Sequence, residues 1–496
     1  MVSKETRAKY TSTIGIECHV QLKTATKLFA AVGNDARDAT PNTLVSPICF
    51  GLPGVLPVLN REAVHLAMSA AFALNTVPQR YSYFERKHYF YPDLPLGYQI
   101  SQLSQPIIKG GSLTVDVDSK PVTVRINRVQ MEADAGKSTH PAEADYSLVD
   151  FNRAGTPLLE IVSEADMHSA VEAKVYAREL YLTLRYADVS DCNLYYGNMR
   201  FDVNVSVSKT DTLGTRTETK NLNSFRAVEK TVEYEVNRQI ERLEKGEKIV
   251  QETRGWDDAK QSTFAQRSKE NAEDYRYMPE PDIPPIELTD DMITAVREEM
   301  PVLPHQWRKR LEALGLDPAQ TDTLLEGELD EPTVSYLQLI EAVLGEKPLA
   351  KAIANWAVNL EIPLRRKSDI AQAHLDNEQR LHVYREVFGL TSGGKLSSSN
   401  AKTLLGTLLA EQILPQDIAA HAKQHNLIQE SDEGELEKIV ATVLAENPKA
   451  AQDVKDGEAK AIGFLVGQVM KQSQGRANPA IAQKLIKKQL GIGETT

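Results

Sequence analysis

The chain has 496 residues, 41% of them hydrophobic, a formal net charge of -12 and three cysteines. That length holds roughly two to four domains with real apolar cores, which excludes an intrinsically disordered chain. Cys18, Cys49 and Cys192 make no paired metal-ligand spacing, which excludes a zinc ribbon and points to a reducing compartment.

The opening "MVSKETRAKY" lacks an apolar signal region, and runs such as "AVHLAMSAAFAL" are too short to span a bilayer. A soluble, cytoplasmic protein without membrane contact is expected. The first predicted strand, "IGIECHVQL" (14–22), puts Ile16, Cys18, Val20 and Leu22 on one face and Glu17, His19 and Gln21 on the other. Neighbours on a strand point apart, so Cys18 and His19 are not a nucleophile and its base; Cys18 reads as a buried thiol. A half-wetted sheet surface accounts for such a pattern in an isolated strand.

Next, "FERKHYFYPDLPLGYQISQ" (84–102) interleaves Arg86, Lys87 and His88 with Tyr89, Phe90, Tyr91 and Tyr98, and its prolines dictate a non-helical loop. Bases beside aromatics suit a phosphate with a stacked ring, although loop aromatics also serve as packing anchors. The strand-like "VTVRINRVQME" ends at Glu132. "PLLEIV" carries Glu160 amid apolar residues, where an unpaired charge is costly. In "RFDVNVSVS" the face Arg200, Asp202, Asn204, Ser206 opposes Phe201, Val203, Val205, Val207, repeating the opening pattern. Glu17, His19, Glu132 and Glu160 are candidates for an oxygen-rich, magnesium-type site with one imidazole, with ordinary salt bridges as the competing account. "GTRTETKNLNSF" (214–225) gathers Arg216, Lys220, Asn221 and Asn223 before a long helix, as caps or ligand contacts.

Two stretches imitate phosphate loops and are rejected. "GLTSGGKL" (389–396) has Leu396 in place of the magnesium-binding hydroxyl, and "MEADAGKS" (131–138) has Met131 in place of the first glycine. Helical spacing appears in "AVEAKVYARELYLTLRYA" and "FRAVEKTVEYEVNRQIERLEKG", and after the proline-rich border "YMPEPDIPPIEL" (277–288) nearly everything is helical in period. The expected class is therefore α+β: a mixed-sheet catalytic domain over 1–290, an all-α connector over 291–409 and a small all-α tail over 410–496. In the tail, Lys460, Lys471, Arg476, Lys484, Lys487 and Lys488 accumulate with no acid between Glu458 and Lys488. Such a basic excess suits polyanion binding despite the negative total, and equally a solvated helix face.

These stretches, with "SLVDFNRAGTPLLEIVSEAD", "VQETRGWDDAKQSTFAQRSKENAEDYRYMPEPDIPP" and "NPKAAQDVKDGEAKAIGFLVGQVMK", closely resemble the B subunits of the tRNA-dependent amidotransferases over almost the whole chain. The resemblance implies a cradle-shaped first domain, a helical domain and a tail domain contacting the outer corner of tRNA. It implies a ligase forming C–N bonds with glutamine as nitrogen donor. ATP and Mg2+ would serve to phosphorylate the side-chain carboxylate of Glu-tRNA(Gln) or Asp-tRNA(Asn), and ammonia would then displace the phosphate. Glu17, His19, Glu132 and Glu160 are carried over as catalytic metal ligands, with Lys87 as a catalytic phosphate contact. Lys87, Tyr89 and Lys220 are carried over as ATP or acyl-phosphate contacts, and Lys471 and Arg476 as tRNA contacts. The family shows two adjacent acids where this chain has Glu132 and Ala133, so only Glu132 is available there. No amidase or glutaminase signature is present, so ammonia is expected from a partner; the resemblance implies that this partner is an amidase A subunit, with a small C subunit completing a heterotrimer. The alternative is a scaffold subunit of the same complex that only presents misacylated tRNA.

Overall fold

In the computed structural model, residues 2–492 are described apart from 142–143, 269–274, 331–334, 368–374, 411–413, 429–432, 457 and 474–476. They form two compact units, Met1–Gln306 and Trp307–Thr496. The first is built on a mixed sheet and the second on helices, as expected for the α+β class.

The strands that carry the site are β1 (Thr11–Gln21), β2 (Glu85–His88), β3 (Tyr98–Ser101), β4 (Lys120–Ala133), β5 (Pro157–Ser163), β6 (Met199–Ser208), β7 (Thr217–Leu222), β8 (Glu252–Asp257) and β9 (Ser262–Ser268). The main sheet runs β9-β8-β7-β6-β1-β5-β4, with Ile108–Lys109 and Ser112–Val117 also paired to β4. Only β7 and β8 pair in parallel among these contacts. β1 lies mid-sheet because both of its edges are taken, by β5 and β6.

Strict alternation gives β1 its two faces. Ile14, Ile16, Cys18 and Val20 are fully buried on one side, joined by Val203 and Val205 of β6 and Leu159 and Ile161 of β5. Three helices contribute to that core: α1 (Arg61–Ala73), α2 (Ala170–Tyr186) and α3 (Phe225–Glu244). Ser169 and Ser224 cap α2 and α3 by accepting the N–H of Glu172 and Ala227, each worth about 1 kcal/mol. With one face so covered, the carboxylates, imidazole and amides are confined to the other.

Two differences from the sequence-based expectation follow from pairing. The segment around Lys87 is not loop throughout: Glu85–His88 and Tyr98–Ser101 pair antiparallel on either side of the proline turn. The border 277–288 contributes two short strands, with Met278 opposite Arg86 and Ile286 opposite Ser82. All three cysteines are buried and unbridged.

In the second unit, helices such as Lys347–Trp356 and Asn377–Ser392 enclose Ile353, Tyr384 and Val387, and a buried Arg380–Glu361 pair closes at 3.0 Å. Its last helices share a core of Leu436, Val440, Val443, Leu465, Val469 and Ile486. Among the described residues, no helix is long and apolar enough to cross a membrane.

Candidate active site

Register decides which polar residues meet. Directly opposed residues on antiparallel strands point to the same side. His19 of β1 lies opposite Glu160 of β5 and Arg200 of β6, Glu17 lies opposite Asp202, and Glu160 lies opposite Gln130 of β4. Four strands thus place their polar residues on one surface.

On it, His19, Glu132 and Glu160 offer ligand atoms all within 4.8 Å of one another, and so do Glu17, Asp202 and Glu218. The quartet expected from sequence is therefore divided. Three of its members gather on the β4–β5 side of β1, while Glu17 joins two acids of β6 and β7.

In the first trio His19 Nε2 lies 3.9 Å from Glu160 Oε2. Glu132 is almost fully buried and accepts hydrogen bonds from Ser101 Oγ (2.5 Å), Gln99 Nε2 (3.1 Å) and Gln130 Nε2 (3.3 Å). Gln130 also reaches Glu160 Oε2 at 3.4 Å, and Arg128 orients it by donating to its Oε1. Burial, and then the charge of Glu160, pushes the Glu132 carboxyl up to about 7 against the pull of Lys87 and His19. Glu160 is raised too, by burial and then by Glu17. Burial holds His19 below the ordinary imidazole range, so its lone pair is available at neutral pH.

Lys87 stands beside this trio on β2, opposite Gln99, with its Nζ 5.0 Å from the ring centre of Tyr275. Burial opposes its charge, but Glu132, Tyr277 and Glu160 hold its ammonium above the ordinary lysine range. The Tyr89 ring lies 6.3 Å from Tyr275, and that of Tyr277 6.2 Å from it on an edge, making an aromatic wall.

The second trio is compensated from within. Lys220 Nζ lies 3.0 Å from Asp202 Oδ2 and 3.7 Å from Glu218 Oε1. The β6–β7 register slips between Phe201 and Val203, so Asp202 sits at a bulge, where a strand commonly re-aims a side chain. Its other oxygen accepts the N–H of Asn221 (2.8 Å), which has φ +61°, a left-handed conformation that asparagine tolerates. Burial opposes ionisation of Asp202, but Lys220, His19 and that N–H hold its carboxyl below the ordinary range. Asn204, opposite Glu218 in register, leaves its buried Oδ1 without a hydrogen-bond partner.

Both donor sets fit a divalent cation. They are hard oxygens with one neutral imidazole; the first trio carries like charges that Lys87 offsets only in part, and beside the second lies an acceptor without a donor.

Asp202, Glu218, Gln130, Ser101 and Gln99 belong to the site but were not singled out for it by sequence reasoning. The alternation of "RFDVNVSVS" contained Asp202; its meeting with Glu17 depends on a strand pairing between distant segments of the chain. Lys471 is exposed on the helix Ala459–Gln472, remote in sequence from the sheet residues. Arg476 lies outside the described residues.

Comparison with known proteins supplies the family. Residues 12–294 match the GatB/GatE catalytic domain and residues 338–490 the GatB domain. The chain is 43% identical over 490 residues to the B subunit of the aspartyl/glutamyl-tRNA(Asn/Gln) amidotransferase of Carboxydothermus hydrogenoformans, covering 97% of this chain and 99% of that one. It is 42% identical over 489 residues to the B subunit from Moorella thermoacetica, covering 97% and 100%. It is also 42% identical over 507 residues to the B subunit from Crocosphaera subtropica, covering 98% of each. Both trios, Lys87 and Lys220 lie inside the matched catalytic domain, and the chain belongs to the family of aspartyl/glutamyl-tRNA(Asn/Gln) amidotransferase B subunits.

Proposed function

We propose that the chain phosphorylates the side-chain carboxylate of Glu-tRNA(Gln), Asp-tRNA(Asn) or both with ATP, and then lets ammonia displace the phosphate. A carboxylate resists ammonia because oxide is a poor leaving group. Transfer of the γ-phosphoryl group forms a carboxyl O–P bond and releases ADP; attack by nitrogen then expels phosphate and leaves the amide. The observation that carries this reading is the pair of acidic trios on one strand face, with a lysine beside each.

His19, Glu132 and Glu160 would hold one Mg2+, and Glu17, Asp202 and Glu218 a second. Bound there, such ions supply charge neutralisation and orientation for the transferring phosphoryl group. Gln130 fixes the two carboxylates of the first trio in place. Lys87 is half-buried, cationic and donor-rich, which suits it to a phosphoryl oxygen, and the Tyr275 ring lies against its ammonium. Lys220, bound to the second trio, suits the same chemistry of ATP or the acyl phosphate.

Kinship with B subunits supports a multisubunit amidotransferase. We assign glutamine hydrolysis and ammonia supply to an amidase A subunit, with a small C subunit completing a heterotrimer. The complex works in the cytoplasm, where misacylated tRNA is made. Exposed Lys471 is a candidate contact to tRNA phosphate, which would position the substrate without reading bases.

The test is ATP- and Mg2+-dependent formation of phosphorylated aminoacyl-tRNA by the assembled complex with glutamine withheld. Wild type is expected to accumulate the acyl phosphate, and Glu17→Gln and His19→Ala to fail while still assembling and binding tRNA. Normal phosphorylation by both variants would contradict the assignment and favour the scaffold alternative.

A further inference from the structure

Lysine is almost never fully buried unless an opposite charge accompanies it. Lys27 is 1% exposed, yet among the described residues no carboxylate forms an ion pair with it. Its Nζ donates instead to Phe151 O (3.2 Å) and to Cys49 Sγ (3.5 Å). Burial, opposed by Cys49 and Asp150, holds the amine below the ordinary lysine range and so raises its neutral, nucleophilic fraction.

Backbone bonds hold both partners in place. Lys27 and Cys49 belong to the segment 22–60 between β1 and α1, which among the described residues has no helix or strand. Lys27 N–H donates to Val32 O (3.0 Å) and Leu28 N–H to Gly155 O (2.8 Å); around Cys49, Phe50 N–H donates to Ser46 O (3.2 Å) and Gly51 N–H to Ile48 O (3.0 Å). A cavity of about 90 Å3 adjoins the pair, lined also by half-buried Val55, Pro57 and Leu96. Peroxide is little larger than a water molecule, whose share of liquid volume is about 30 Å3, and fits there. Cys18 and Cys192 lie in the hydrophobic core of the same unit, where burial pushes both thiols up, Cys192 to about 12.

We infer that Lys27 and Cys49 form a covalent modification site, at which peroxide joins Nζ to Sγ by way of a sulfenic acid on Cys49. In the first step Sγ attacks one peroxide oxygen: an S–O bond forms, the O–O bond breaks, and the thiol proton leaves with hydroxide as water. Sulfur is oxidised and peroxide reduced. The Lys27 amine then attacks Sγ: an S–N bond forms, the S–O bond breaks, and one amine proton leaves with that hydroxide as water. The product is a sulfenamide, of the kind a sulfenic acid also makes with a backbone nitrogen. Two thiol molecules reverse it, restoring the amine and the Cys49 thiol and leaving as a disulfide. The new bond draws Nζ off Phe151 O, in the turn that leads into β5 and Glu160.

In the experiment the full complex is treated with hydrogen peroxide, unfolded with dimedone present to trap free sulfenic acid, and digested with trypsin without reductant. In the wild type, cleavage after Lys27 is expected to be lost, and peptide 24–37 should appear joined to 38–61, lighter by two hydrogens than the separate pair. Dithiothreitol before digestion should return both peptides, and Cys18 and Cys192 should stay unmodified. Lys27→Arg keeps the charge and a donor but not the nucleophile, so its Cys49 should carry dimedone instead. Cys49→Ser should give neither product. A joined pair that retains one oxygen, at the expense of a second peroxide, supports the same site. Intact cleavage after Lys27 in the treated wild type, with Cys49 free, sulfinic or labelled by dimedone, would overturn it, and that digest decides even where a variant fails to assemble.

Discussion

The two trios flanking β1 are built from the same materials and sit in opposite electrostatic states. His19, Glu132 and Glu160 are under-compensated: burial and Glu160 push Glu132 up to about 7 against the pull of Lys87. Glu17, Asp202 and Glu218 have Lys220 at hydrogen-bond distance, and Asp202 is held low. A buried carboxylate cluster must shed charge, by protonation or by acquiring a cation. The second trio has its cation at hydrogen-bond distance, whereas Lys87 offsets the first only in part and leaves it to take a proton or an outside ion. The two therefore differ in how readily an added cation binds: at the first it relieves repulsion, and at the second it must compete with Lys220.

The most severe way to break this comparison is Glu160→Ala, which removes a ligand from the first trio only. The rate of phosphoryl transfer to aminoacyl-tRNA should fall by more than about a hundredfold, exceeding the roughly 10–100-fold usual for a residue behind the ligands. Single-turnover assays with saturating ATP check this. Lys220→Met sharpens the contrast from the other side. Stripping Asp202 of its partner should cost roughly 2 kcal/mol of stability without metal, because an uncompensated charge remains buried. Added Mn2+ should restore more of that stability than it adds to wild type, read as the shift in urea midpoint.

The sign of the pH dependence separates the trios as well. The folded Asp202 carboxyl is depressed, so its contribution is present above the ordinary aspartate range and is lost as pH falls through the folded value. The folded Glu132 carboxyl is raised, so the protein loses stability as pH climbs from the ordinary glutamate range to about 7, where the unfolded chain ionises first. Gln130→Met, which removes the amide shared by the two carboxylates, should weaken Mn2+ binding at the first trio about tenfold. Glu132→Gln should stabilise the metal-free protein at roughly pH 8 and leave it unchanged at about pH 4, in denaturant titrations.

How much of this was legible depended on range. Alternation in "IGIECHVQL" and "RFDVNVSVS" revealed strands with a polar face because side-chain direction is local, and helical spacing in "FRAVEKTVEYEVNRQIERLEKG" revealed α3 for the same reason. The grouping of Glu17 with Asp202 and Glu218 was hidden. It follows from the β1–β6 register and from the bulge at Asp202, which are set by core packing between segments far apart in the chain. Likewise Gln99 and Ser101 lay inside the aromatic-and-basic stretch 84–102, yet their role as donors to Glu132 needed the hairpin of β2 and β3 brought up against β4. Prolines in that stretch disclosed the turn and concealed the strands on either side.

Titrating Mn2+ into crystals of the complex and recording anomalous scattering tests the difference between the trios most directly. Density is predicted among His19, Glu132 and Glu160 at the lowest Mn2+ concentration, with the second trio filling only at higher concentration and earlier in Lys220→Met. No anomalous density at either trio up to saturating Mn2+, or filling of the second before the first, would contradict it.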